Sequence, residues 1–177
     1  MQATMSKEVR KDSAGAIEIL IADNEKGLAY AEQLKSAAKS IQANGFSFEM
    51  FEQIVEAIRF IETEMRRHCQ NVEQFLNPLI DRHVKGYLQS GIDEHREIWK
   101  ALSVLRECVK DIEDLRIHPA ITRDLANYST TIACLLVQQI EKENSTLLPI
   151  ARKSLTPEEC DQLKASISAA RIPETLS

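Results

Sequence analysis

The chain has 177 residues and a formal charge of −5, with no basic excess to attract nucleic acid or an anionic membrane. Apolar residues make up 44% and Gly and Pro number only five each, so composition predicts a single all-helical domain with a sizeable core. No run of about eighteen apolar residues could span a membrane, and MQATMSKEVRKDSAG leads into no apolar signal core; a cytoplasmic protein is expected.

Taken in order, residues 1–12 form a polar leader, 13–170 the domain and 171–177 a frayed tail. Ile17, Leu20, Ile21, Asn24, Leu28, Ala31, Leu34, Ala38 and Ile41 recur at helical spacing, and Asn44-Gly45 supplies a stop signal. Ser47 is the expected N-cap of a second helix, with Phe48, Phe51, Ile54, Ile58, Ile61, Met65, His68, Val72, Phe75 and Leu76 on or near one face. Pro78 is expected to kink that helix, with Gly86 and Gly91 bracketing a loop. Ser90 and Asp93 read as a capping pair for a third helix over residues 92–115, with His95, Trp99, Leu102, Leu105 and Val109 on its apolar side. Pro119 and Thr122 open a fourth helix carrying Leu125, Ile132, Leu135, Leu136, Gln139, Ile140, Glu143 and Leu147, with a kink expected at Pro149. Thr156-Pro157-Glu158-Glu159 starts a short fifth helix, since it combines a capping Thr, a Pro at the first helical position and a Glu three after the cap. Short connections between four long helices predict an up-down-up-down antiparallel four-helix bundle with that fifth helix added.

His68 and Gln139 each stand ten residues before a Pro, a weak internal repeat that sets them at equal depth on helices two and four. In an α-helix, residues four apart share a face while residues five apart diverge by about 140°. Gln139 and Glu143 should therefore project together; His68 should align with Glu64 and Val72; Glu73 should point elsewhere. The cysteines, Cys69, Cys108, Cys134 and Cys160, form no CxxC pair, and the last three read as buried free thiols. His83 and His118 read as solvated. Ferritin-type ExxH, HExxH, phosphate-binding loops and GxSxG are all absent.

The segments LIADNEKGLAYAEQL, RRHCQNVEQFLNPLI, IDEHREIWKALSVL and QQIEKENSTLLPIARKSLTPEE resemble the core helices of hemerythrin-like (HHE cation-binding) proteins, over about residues 17–165. That resemblance implies a site in which helix one gives a His, helices two and four each give HxxxE, and helix three gives one or two His around two carboxylate-bridged irons. Position by position, His68, His95 and Glu143 match. Asn24, Val72 and Gln139 stand in ligand positions, and Trp99 stands where some members carry a second His. An intact di-iron centre is therefore not expected.

Three readings follow. In one, His68, His95 and Glu143 hold one metal ion, iron above all, with Cys69 as an added thiolate if the helix is locally rotated, in a sensor of iron, dioxygen or nitric oxide. In another, no metal is bound, and Asn24, Gln139, Glu143 and the two His form a satisfied polar network. The protein is then a non-enzymatic binding or sensing module for a regulatory protein partner or small ligand, open to homodimer formation through an apolar stripe. In the third, Cys69 beside His68 is a reactive thiol.

Overall fold

A computed structural model describes residues 15–85 and 89–170, and the side chains of residues 89–92 are not among those described. The expected leader and tail lie outside these residues.

Helix α1 (Gly15–Asn44) buries Ile17, Leu20, Ala31, Leu34, Ala38 and Ile41 on one face, together with Asn24. It ends where Gly45 adopts φ 87° and returns its N–H to Ile41 O, a left-handed turn that only Gly makes cheaply. Ser47 then caps α2 (residues 48–83) through the Met50 N–H, as its sequence position predicts.

Helix α2 is one rod with two widened turns. Its segments are Phe48–Phe60, a π turn at Ile61–Met65, Arg66–Asn71, a second π turn at Val72–Leu76, and Asn77–His83. Helix α4 (residues 119–154) repeats the second of these: Pro119–Lys142, a π turn at Glu143–Leu147, then Leu148–Ser154. In both, the π turn runs directly into the Pro, with Asn77 N–H bonded to Val72 O and Leu148 N–H to Glu143 O. Pro has no N–H and its ring crowds the carbonyl four residues back; widening the turn to i→i+5 relieves that crowding. The expected kinks at Pro78 and Pro149 are thus π turns placed ahead of each Pro, and each turn absorbs one extra residue.

Helix α3 (Gln89–Glu113) begins before the expected start, so Ser90 and Gly91 lie inside the helix rather than capping it or closing a loop. It ends in a Schellman turn, with Arg116 N–H on Asp111 O and Leu115 N–H on Ile112 O. Leu115 holds the left-handed position at φ 61° that Gly usually takes, with its side chain exposed. Helix α5 (Pro157–Ala170) starts on a complete capping box: Glu159 N–H to Thr156 Oγ1 and Thr156 N–H to Glu159 Oε2.

Helix α1 packs on α2 and α4, and α3 packs on α4, giving the antiparallel bundle. Its interior is divided. One apolar cluster joins all four long helices through residues such as Leu34, Ile54, Ile61, Leu105 and Leu136. A second holds Ile17 and Leu20 of α1, Val72 and Leu76 of α2, Leu147 and Leu148 of α4, and Leu163 and Ile167 of α5. There α5 takes the place that α3 fills in the first cluster. Each Leu or Ile buried this way contributes about 1.5–3 kcal/mol. Glu159 also ties α5 to α2 through Arg82 at 3.7 Å and a hydrogen bond to His83 at 2.8 Å, and His83 is exposed, as expected. Cys69, Cys108 and Cys160 are buried free thiols, whereas Cys134, expected inside, is exposed. No helix among the described residues is long and apolar enough to cross a membrane.

Candidate functional site

Between the two apolar clusters lies a polar layer. Asn24, His68, His95, Gln139 and Glu143 are all buried there, one or two from each of the four long helices. Buried polar groups cost free energy unless they find partners, so the partners define what this layer is.

Glu143 is the hub. Its Oε2 accepts from His68 Nε2 at 2.9 Å and from Asn24 Nδ2 at 3.1 Å, and its Oε1 accepts from Gln139 Nε2 at 2.7 Å. The second Asn24 N–H goes to Asn144 Oδ1 at 3.0 Å. Gln139 Nε2 also lies 2.9 Å from His95 Nε2, and His95 Nε2 stands 3.7 Å from Glu143 Oε1. Both imidazoles thus aim Nε2 at one carboxylate. Each is backed by another on its far side: His68 Nδ1 is 3.8 Å from Asp23 Oδ2, and His95 Nδ1 hydrogen-bonds to Glu73 Oε1. The sequence Asp23–His68–Glu143–His95–Glu73 alternates carboxylate and imidazole across the bundle.

Electrostatics follows from that alternation. Burial alone would drive His68 toward its neutral form, but the Glu143 charge and hydrogen bond, with the Asp23 carboxylate beyond Nδ1, reverse this and push its pKa up to about 10. Burial would likewise raise Glu143; the His68 charge and the hydrogen bonds from His68 and Gln139, with His95 close by, instead hold it well below the usual carboxylate range. His68 and Glu143 therefore form a buried ion pair. For His95, burial opposes protonation, while the neighbouring Cys69, Glu143 and Glu73 side chains drive its pKa upward. With the Gln139 amide as placed, N–H faces His95 Nε2, so the ring keeps a lone pair there and carries its proton toward Glu73. Full protonation of His95 would require that amide to turn over.

Several positions depart from expectation. Glu73 points inward, not away, because the π turn at Val72–Leu76 breaks the α-helical spacing and brings a residue five after His68 back toward the site. Asn144 reaches the layer in the same way, five residues after Gln139. Glu64, expected beside His68, pairs with Lys26 at the surface. Val72 turns away from the polar layer into the second apolar cluster. Cys69 is a buried thiol that bears on both His68 and His95. Trp99 is only partly buried, with the Arg66 guanidinium stacked 4.3 Å above its ring. Asp23, Glu73 and Asn144 were not foreseen; the only sequence signal for Glu73 and Asn144 was the shared distance to a Pro.

The donor set does not fit a carboxylate-bridged pair of metal ions, which needs about five to seven protein ligands. Glu143 alone stands between the imidazoles, Glu73 is committed to the outer nitrogen of His95, and both Asn24 and Gln139 present N–H rather than oxygen to Glu143. Among the described residues no three His, Cys, Asp or Glu side chains are grouped so as to hold a metal ion by themselves. Three buried atoms of the layer, Asn24 Oδ1, His68 Nδ1 and Gln139 Oε1, have no hydrogen-bond partner. The layer is nearly closed but not complete.

No curated protein and no solved structure matches the chain. A family model does: the hemerythrin HHE cation-binding domain, over residues 15–151. That span takes in the whole polar layer and all four helices that build it, and the chain belongs to the hemerythrin HHE cation-binding domain family.

Proposed function

We propose that this protein is a non-enzymatic binding or sensing module, a hemerythrin fold in which a hydrogen-bonded network around Glu143 replaces the carboxylate-bridged metal pair. It takes at most one metal ion there. The observation that carries this reading is the occupancy of Glu143: both oxygens already accept hydrogen bonds, from Asn24, His68 and Gln139. A carboxylate so engaged would have to give up three donors to bridge two ions. The working output is then recognition of a regulatory protein or small ligand, or of a second copy of the chain. Exposed Phe48 and Leu115 support such a surface, Leu115 being held outward by a strained backbone position.

The test is metal content after purification without chelator, followed by anaerobic addition of ferrous iron and recording of visible absorption. No more than one iron per chain and no oxo-bridge bands are expected. Two irons per chain with those bands would overturn the proposal.

A second reading has its own support. Both Nε2 atoms face Glu143, at 2.9 Å for His68 and 3.7 Å for His95, so one iron held by His68, His95 and Glu143 would make the protein a metal-dependent sensor. Under that reading His95→Ala abolishes metal uptake.

A further inference from the structure

The end of the bundle away from α5 holds an opening that shares no residue with the polar layer. It is a cavity of about 520 Å³ where the last turn of α1, the α1–α2 connection and the α3–α4 connection meet the start of α4. Ile41 and Ala126, both part of the first apolar cluster, form its floor, and Phe46 and Ile117 its walls. A methyl group added at Gly45 would meet no atom within 4 Å, so that edge is the mouth. A concave apolar lining with a few polar groups is the usual form of a small-molecule site.

The polar groups here favour one sign of charge. Arg123 is the only Arg, Lys, Asp or Glu among the described lining residues, in a chain whose net charge is −5. Asp124, the next residue, lies 4.0 Å from Arg123 Nε, too far for a hydrogen bond. Helix α4 begins at the same edge with no side-chain cap and no carboxylate in its first turn. Its first return bond runs from Thr122 N–H to His118 O, so the Ala120 and Ile121 N–H groups have no partner within the helix. The larger groove between α2 and α3, about 690 Å³, is different in kind. There Arg59, Arg106 and Lys110 face Glu62, Glu107 and Glu113, and Glu62 already pairs with Arg106 at 3.1 Å.

We infer that the cavity at this end binds a small organic carboxylate, its aromatic or branched hydrocarbon body on Ile41, Phe46, Ile117 and Ala126 and its charge at Arg123 and the first turn of α4. The inference rests on the reading of the chain as a binding module and names the class of ligand; it does not depend on what the polar layer holds. The planar guanidinium of Arg matches a carboxylate with two parallel hydrogen bonds. A helix start adds unpaired N–H groups and the positive end of its dipole. An inorganic anion would gain nothing from the apolar floor, and a neutral hydrocarbon nothing from Arg123. Phe48 is 61% exposed and stands edge-on to Phe46 at 5.2 Å, so apolar surface continues past the mouth for a longer ligand body.

The experiment titrates naphthylacetate, and separately the uncharged naphthylacetamide, into the isotope-labelled full chain and follows backbone amide shifts by NMR. Far-UV circular dichroism checks the fold of each variant. Saturable shifts at Gly45, Phe46, Ala120 and Ile121 are expected with the acid, and binding about tenfold weaker with the amide. Arg123→Glu should weaken the acid about tenfold or more and change the amide by less than about twofold. Thr122→Trp, which fills the opening from its α4 side, should abolish both. If that variant does not fold, Arg123→Glu on the exposed rim decides the matter. No saturable shift at these amides, or equal binding of acid and amide, overturns the inference. So does a dimer of the unliganded chain that covers the same amides and excludes the acid, since a second copy is then the occupant. Two irons per chain with the acid still bound would instead topple the network reading and leave this inference standing.

Discussion

Helices α2 and α4 solve the same backbone problem in the same way and then use the result differently. Each carries a polar residue ten positions before a Pro and a π turn leading into that Pro. In α2 the residues that follow His68 by four and five are Val72 and Glu73; in α4 those that follow Gln139 are Glu143 and Asn144. The fourth position is apolar in α2 and joins the second core, but in α4 it is the carboxylate hub. The fifth position supports an imidazole from outside in α2 and receives an amide in α4. One backbone device thus delivers two side chains per helix to the same depth. The chemistry at the centre depends on which of the two is polar, and only α4 places a carboxylate between the imidazoles.

The sharpest way to break this comparison is to make α4 read like α2. Glu143→Val would leave His68 buried without its counter-charge and would strip Asn24 and Gln139 of their acceptor. A loss of about 3–5 kcal/mol is expected in urea unfolding; a loss under about 1 kcal/mol would mean the hub is dispensable. Next in size is the contrast within α2. Val72→Ala removes apolar packing and should cost about 2 kcal/mol. Glu73→Ala removes one hydrogen bond from a partly exposed carboxylate and should cost about 1 kcal/mol or less. The second substitution should nonetheless shift the His95 Nδ1 resonance in nitrogen NMR, and the first should not. The reverse pattern would show that Glu73, not Val72, faces the core.

The smallest effect sharpens the comparison through pH. Glu143 titrates lower in the folded chain than its ordinary value of 4.5, so its share of stability is present above that value and is lost as pH falls below it. His68 titrates higher than its ordinary 6.5, at about 10, so its share is full below pH 6.5 and is lost as pH rises toward 10. The difference in melting temperature between the native chain and Glu143→Val should be greatest between those two ordinary values and shrink on either side. A difference that stays constant across the range would show that no ion pair links His68 to Glu143.

The bundle itself was legible in the sequence because its apolar residues follow the 3.6-residue period and its ends carry strong signals: Gly45, Ser47, Pro119 and the Thr156 box. The pairing of Gln139 with Glu143 was legible for the same reason. Glu73 and Asn144 were not, since a fixed 3.6-residue period sends a fifth residue off the face, and nothing in local composition marks where a turn will widen. Asp23 was hidden by Asn24: reading one residue as the inward one leaves its neighbour unexamined, although the two serve opposite sides of His68. The start of α3 failed on a different count, because Ser90 and Gly91 look like a boundary and are in fact helical.

Recognition and folding have different extents in this molecule. The span that carries the family signature stops at residue 151, yet Leu163 and Ile167 of α5 are fully buried against Ala16, Ile17 and Leu20 at the opposite end of the sequence. A fragment trimmed to the signature would keep every side chain of the polar layer while leaving one end of its interior open to water. The minimal expressible unit is therefore longer than the homologous one, and the added helix acts as the floor on which the rest is built.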